Sequence, residues 1–308
     1  MVKTKNRVTL SGYLYRHNLT EKVAGPNAKV PGQKYIEGSI SIATDDELTN
    51  IVDIYYRYVT PTNSKGDNPL YGTLSKILHG ELLTVMGSDK DTSAKLSAST
   101  SFALNEFYSD ASGQETLVST KRNENGFLHV INVLPDSIDQ RNLFDVNMLV
   151  TNVREVEGDP DKGTTDKVIV KGCIFDFRGA ILPVEFSATT EASINYFLSL
   201  EVSPKAPIYT QLRGRELSTV VISRREEEGA FGESFVTETR SSKKDCVIHW
   251  ASKEPLRLDD DGCFTTEELK KLMADREMHL AELKSRRDAY KASKATTVVD
   301  NDDDGFSF

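Results

Sequence analysis

Arg7 to Arg16, RVTLSGYLYR, alternates residue by residue: Val8, Leu10, Gly12 and Leu14 fall on one side, and Thr9, Ser11, Tyr13 and Tyr15 on the other. A period of two marks a half-buried β-strand, so the stretch reads as a strand with one apolar and one aromatic face. A loop rich in Gly, Pro and Lys, Asn18 to Gln33, separates it from Lys34 to Thr44 (KYIEGSISIAT), which turns Ile36, Ile40 and Ile42 inward. Asp45, Asp46 and Glu47 make a turn, Thr49 to Thr60 (TNIVDIYYRYVT) runs out again, and Pro61 ends it.

Three strands joined this way predict a curved antiparallel meander, the opening of an OB-type barrel. Leu70 to His79 places Leu70, Leu74, Ile77 and Leu78 at helical spacing, which suits a helix that plugs the barrel before two final strands. Glu81 to Met86 and Gly126 to Val133 are read as those strands. The Ser/Thr/Asn-rich stretch 88–125 between them is read as an insertion or extended hairpin. After Pro135 to Asn142 the pattern restarts, with strands at Phe144–Glu155, Thr165–Asp176 and Ala180–Ser187 and a short helix at Ala192–Leu200. Further strands follow at Ala206–Leu217, Thr219–Arg224 and Val247–Ala251. The expectation is a mainly β chain with two tandem OB-like antiparallel barrels, 1–135 and 143–252. Residues 265–294 are a different material. Thr265 and Glu268 form a capping box, and Leu269, Leu272, Met273, Arg276, Leu280 and Leu283 recur every three or four residues. They predict an amphipathic helix that docks on a barrel or pairs with a second copy into a homo-oligomer.

At 308 residues the chain has room for about two domains, and with 38% hydrophobic residues it can build their cores. No apolar run approaches the roughly 20 residues of a membrane span, and MVKTKNRVTL lacks a signal-peptide core, so a cytoplasmic location is expected. Cys173, Cys246 and Cys263 form neither a disulfide framework nor a CxxC zinc site. His17, His79, His129, His249 and His279 are scattered, and no Walker loop, GxSxG elbow or HExxH occurs. Asp259 to Gly262 misses the spacing of a calcium loop and reads as a turn before the helix. No catalytic residue, metal or cofactor is expected. The net charge of −9 argues against nucleic acid until it is located: Asp300 and Asp302 to Asp304 supply four of those charges, leaving −5. Asp259–Asp261 and Glu226–Glu228 lie in other loop-like runs, while Arg and Lys recur within strands, which allows a local basic groove.

Tyr13 and Tyr15 with Arg16, and Tyr56 and Tyr58 around Arg57, combine rings with cations. Rings stack on exposed bases without regard to sequence while cations follow the backbone, and the second and third strands of OB barrels present such platforms. Tyrosines packed between strands give the same pattern. In the second barrel Arg178 follows Phe175 and Phe177, Arg213 and Arg215 flank Gly214, and Lys167 and Lys171 share a strand. Trp250 is assigned to the core.

The last stretch, Asp300 to Phe308 (DNDDDGFSF), is an acidic run closed by two aromatics. Such a segment has no core to join and reads as a disordered tail, 295–308, built like a tethered ligand. In Asp302, Asp303, Asp304, Phe306 and Phe308 it resembles the tails of bacteriophage-type single-stranded DNA-binding proteins. That resemblance implies sequence-tolerant DNA binding and a tail that competes with DNA and recruits replication, recombination or repair proteins. A phage-encoded chain would act in the host bacterial cytoplasm. The alternative is a β-rich phage structural or assembly protein.

Overall fold

Strand β1 (Asn6–His17) buries Val8, Leu10 and Leu14 completely, as its alternation predicts, and β2 (Thr20–Val23), β3 (Lys34–Ala43) and β4 (Ile51–Val59) follow it. These elements belong to a computed structural model that describes residues 4–111, 113–158, 165–228 and 234–299. A small hairpin, β5 (Thr62–Asn63) and β6 (Gly66–Asp67), leads to helix α1 (Pro69–Leu78), then β7 (Lys95–Ser109) and β8 (Thr116–Ile131). Antiparallel pairs β1–β3, β3–β4, β7–β8 and β1–β7, with the parallel pair β4–β8, close a five-strand ring. Helix α1 starts where Asn68 accepts a hydrogen bond from the Leu70 amide and Pro69 needs no partner, and it buries Leu74 and Ile77.

Beyond α2 (Ile138–Arg141) the same plan recurs with β9 (Asn142–Val156), β10 (Lys167–Phe175), β11 (Ile181–Ala188), α3 (Glu191–Ser199), β12 (Ile208–Glu228) and β13 (Ser234–Ala251). Strands β9–β10, β10–β11, β12–β13 and β12–β9 pair antiparallel, and β11–β13 pair parallel. Third strand parallel to fifth, with a helix between third and fourth, is the strand order of an OB barrel. The chain is mainly β, with two such barrels in tandem. Close strand crossings need glycine: a Cβ on Gly12 would lie 2.0 Å from the Ala43 carbonyl oxygen, and one on Gly172 2.0 Å from that of Leu149.

The barrels are fused along β1–β9, from Asn6 opposite Val146 to Leu10 opposite Asn142. One apolar core runs through both. At their junction Phe102 of the first barrel packs on Phe144 and Phe186 of the second, each with ring centroids 5.9 Å away.

Strand β14 (Leu256–Arg257) pairs with β12 and precedes α4 (Thr266–Val299). The predicted capping box forms: the Glu268 amide donates to Thr265 Oγ1, and the Thr265 amide to Glu268 Oε2. Leu269 and Leu272 pack on a small cluster with Phe175, Tyr209 and Phe264. Beyond them the helix lies along the β7–β8 hairpin by charge, through Arg276–Glu106, Lys284–Glu115, Arg287–Asp110 and Lys291–Asp110.

Three readings of the sequence change. Residues 81–86 form no strand, and the stretch 88–125, read as an insertion or extended hairpin, is a hairpin of the barrel wall itself that supplies β7 and much of β8, with Leu96, Ala98 and Phe102 buried. The strands expected at 206–217 and 219–224 are one continuous strand, Ile208–Glu228. The terminal helix runs on to Val299, five residues past the expected end. The acidic tail, 300–308, lies outside the described residues. Among the described residues no helix is long and apolar enough to cross a membrane.

Candidate nucleic-acid interface

OB barrels hold extended ligands against their second and third strands. In the second barrel those strands are β10 and β11, and a groove of about 810 Å3 lies on them. Its far side is the β7–β8 hairpin of the first barrel, through Leu104, Ser119 and Lys121. Alternation along β10 turns Lys167 and Lys171 into the groove, and Arg154 and Lys244 join them from β9 and β13. With Lys121, five cations face two acids, Glu185 and Asp245.

Lys171 pairs with Glu185 at 2.6 Å and Lys167 with Asp245 at 2.8 Å. Burial pushes the Asp245 carboxyl up, but Lys167 and Ser187 together outweigh it and hold the group below its ordinary range. Arg154 is exposed and has no ion-pair partner among the described residues. Lys121 is held from beneath by rings, its Nζ 4.9 Å from the Phe102 centroid and 4.7 Å from that of Phe186. The same Nζ lies 2.7 Å from Cys246 Sγ. Burial pushes that thiol up to about 12, so it stays protonated near neutral pH and accepts from the lysine without adding a negative charge.

A smaller cavity of about 110 Å3 shares Lys121 and Lys244 with the groove and extends it onto the first barrel. It is lined there by Asp53 and Tyr55 of β4 and by Arg122 of β8. Lys244 pairs with Asp53 across the junction. Glu216 lies between the same groups; desolvation raises its carboxyl above the ordinary range, against the pull of Lys121, the Asn123 amide and Lys244. The two cavities therefore adjoin at Lys121 and Lys244 as one channel, from the β10–β11 wall of the second barrel to β4 and β8 of the first. On the first wall the Arg122 guanidinium lies 4.5 Å from the Tyr55 ring centroid, and Arg57 pairs with Glu124 at 2.7 Å.

The residues predicted for binding are divided among several places. Lys171 lines the groove. Arg57 and Tyr58 are exposed on β4, with Tyr58 4.4 Å from the Tyr35 ring. Arg16 is exposed, with its Nε 3.4 Å from Ser41 Oγ, and Tyr15 is half-buried. Tyr56 is corrected to a core residue at 2% exposure. Tyr56 falls on the inward side of β4 with Val52 and Ile54, and a bulge in β4 just after it turns both Arg57 and Tyr58 outward. Tyr13 is likewise buried, its hydroxyl donating to Asp46 and its ring lying under Lys90. Arg178 sits on the β10–β11 turn over the exposed Phe177, apart from the groove. Arg213 and Arg215 lie on β12, across the barrel core from β10 and β11. Tyr55, Lys121, Arg122 and Arg154 enter the channel without a local sequence signal, because only barrel closure brings β4, β8 and β9 together. Among the described residues no three His, Cys, Asp or Glu side chains are grouped to hold a metal ion.

Fold and channel together define a tandem OB-barrel protein with a basic cleft shared by both barrels. The chain belongs to the YorF family, whose model matches residues 5–286. Comparison with curated proteins gives no match. Among solved structures, a deletion mutant of the single-stranded DNA binding protein from Thermus aquaticus is similar over 84% of this chain and 98% of that one, at 10% identity and a TM-score of 0.45.

Proposed function

We propose that this chain binds single-stranded DNA without sequence preference, along the channel over both barrels, and acts by binding rather than by catalysis. The observation that carries this reading is the continuity of the channel. Cations at Lys121, Arg154, Lys167, Lys171 and Lys244 would follow the phosphates of one strand from the second barrel to Tyr55 and Arg122 on the first. Phosphate contacts release counterions, so affinity falls steeply with salt, and stacking on Tyr55 tolerates any base. The tail completes the proposal. Asp302, Asp303 and Asp304 compete with DNA for the basic groove, and once displaced, Phe306 and Phe308 are free to anchor replication, recombination or repair proteins, as in phage replication.

The test is fluorescence-anisotropy titration of a labelled dT oligonucleotide with the full chain and with a chain ending at Val299. The expected result is tighter binding by the shorter chain at low salt and a steep loss of affinity with rising salt. If neither binds at low salt, the reading fails and an assembly role takes its place.

A further inference from the structure

The wall of the second barrel opposite the groove carries the chain's only tryptophan, and it is not in the core. Trp250 is 42% exposed. The cause is a bulge in the β12–β13 pairing between Arg213 and Gly214, which turns both His249 and Trp250 outward. The Arg213 guanidinium lies 4.7 Å from the Trp250 ring centroid, covering one side of the indole.

From Trp250 a single rung crosses four strands: Trp250 opposite Arg213, Arg213 opposite Asp145, and Asp145 opposite Arg7. The adjacent rung continues through Thr9 and Ser99 to Phe127 on β8, which is 72% exposed. Arg7 joins the rungs by donating from Nε to Ser99 Oγ at 3.2 Å. At about 4.8 Å between strands, the stripe from Phe127 to Trp250 is roughly 24 Å long. It has a ring at each end and cations between: Lys5, Arg7 and Arg213, with Arg215 at its margin. Asp145 is shared by Lys5 at 2.5 Å and Arg213 at 3.3 Å, and Asp139 pairs with Arg215 at 3.3 Å. Four cations against two acids leave the stripe positive. The α2 helix, which carries Asp139, borders it.

We infer that this stripe is a second site for single-stranded nucleic acid, separate from the groove. A base stacks on the free side of Trp250, sandwiching the indole against Arg213, while Arg7 and Arg215 meet phosphates and Phe127 offers a second stacking platform. Charge and rings together select this ligand: an apolar protein partner would leave the guanidinium groups without acceptors. With sites on opposite walls, one molecule can hold two segments of single strand.

Trp250 reports on its own site. The experiment titrates the full chain with unlabelled dT oligonucleotide and follows tryptophan emission, and in parallel measures stoichiometry by native mass spectrometry. It is repeated with Arg154→Ala/Lys171→Ala, which alters only the groove, and with Arg7→Ala/Arg213→Ala, which alters only the stripe. Expected are a quench of Trp250 by about half that survives the groove variant, and at least a tenfold weaker quench in the stripe variant with the groove still filled. Short oligonucleotides should load two per chain in the parent and one in Trp250→Ala. Unchanged emission with the groove saturated overturns the second site, as does a quench abolished by the groove variant. Retained quench with no effect of Arg154→Ala/Lys171→Ala on any binding would sink the groove and leave the stripe standing.

Discussion

On the wall formed by β3 and β4, the first barrel sets Tyr55 beside Arg122 and neutralises Arg57 against Glu124. On the equivalent wall of β10 and β11, the second barrel sets a half-buried Lys167 paired with Asp245 and an exposed Lys171 paired with Glu185, and keeps Phe175 and Phe186 in the core. The same circuit is thus loaded for stacking in one copy and for charge in the other. A second contrast follows the hairpins. The β7–β8 hairpin of the first barrel is acidic and strapped by α4 through ion pairs, whereas α4 meets the second barrel through the apolar Leu269 and Leu272.

The largest effect should come from the strap. Arg276 and Glu106 are among the best-buried charges of the hairpin, at 12% and 5% side-chain exposure, and Ser119 also donates to Glu106. Arg276→Ala leaves that carboxylate unpaired and should cost roughly 3–5 kcal/mol, read from the urea midpoint. An unchanged midpoint would mean that the helix does not hold the hairpin. Next is the charged wall. Replacing Arg154, Lys167 and Lys171 by alanine removes about three phosphate contacts, each near 1 kcal/mol at 0.1 M salt, so oligonucleotide affinity should drop roughly hundredfold and the salt slope flatten by about 2. Tyr55→Ala should instead cost about 1–3 kcal/mol with the salt slope intact. If it flattens the slope, the division between stacking and charge is wrong.

Acid should separate the two attachments of α4 by a smaller margin. Burial pushes the Glu106 carboxyl up, but its pairing with Arg276 prevails and holds it below the ordinary range. Asp110 and Glu115 are lowered as well, by hydrogen bonds from Lys291 and Lys284 respectively. Depressed carboxylates contribute stability that is complete above their unfolded values near 4 and is lost as pH falls through the folded ones. Amide protection factors over 276–291, taken against the intrinsic rate at each pH, should therefore fall below about pH 4, while the turn bearing Leu269 and Leu272 stays protected.

Much of the fold was legible because the barrel walls alternate. Val8 to Leu14 and Ile36 to Ile42 declare an apolar side outright, and Thr265 with Glu268 announced the helix start. Strand β7 was hidden because its outward residues are serines and its inward ones include Ala98 and Thr100, so the segment reads as polar and of low complexity. The apolar run at 81–86 took its place and proved to be a connection. The candidate site was legible only in part. A bulge in β4 just after Tyr56 and another in β13 at His249 each displaced the alternation by one residue, turning Tyr58 away from the side of Tyr56 and putting the tryptophan outside. Lys121 and Arg154 are distant in sequence and meet only once β9 pairs with β1. Bulges and ring closure are tertiary facts, and a period of two carries neither.

That β1–β9 pairing has a consequence of its own. Two binding modules on a flexible tether must spend entropy to act together, whereas these share a strand ladder and a core. Once an oligonucleotide lies on one wall, the next wall meets it at a fixed offset and a high effective concentration. Affinity should then rise in a step, not a slope, at the length that first reaches across Lys121 and Lys244.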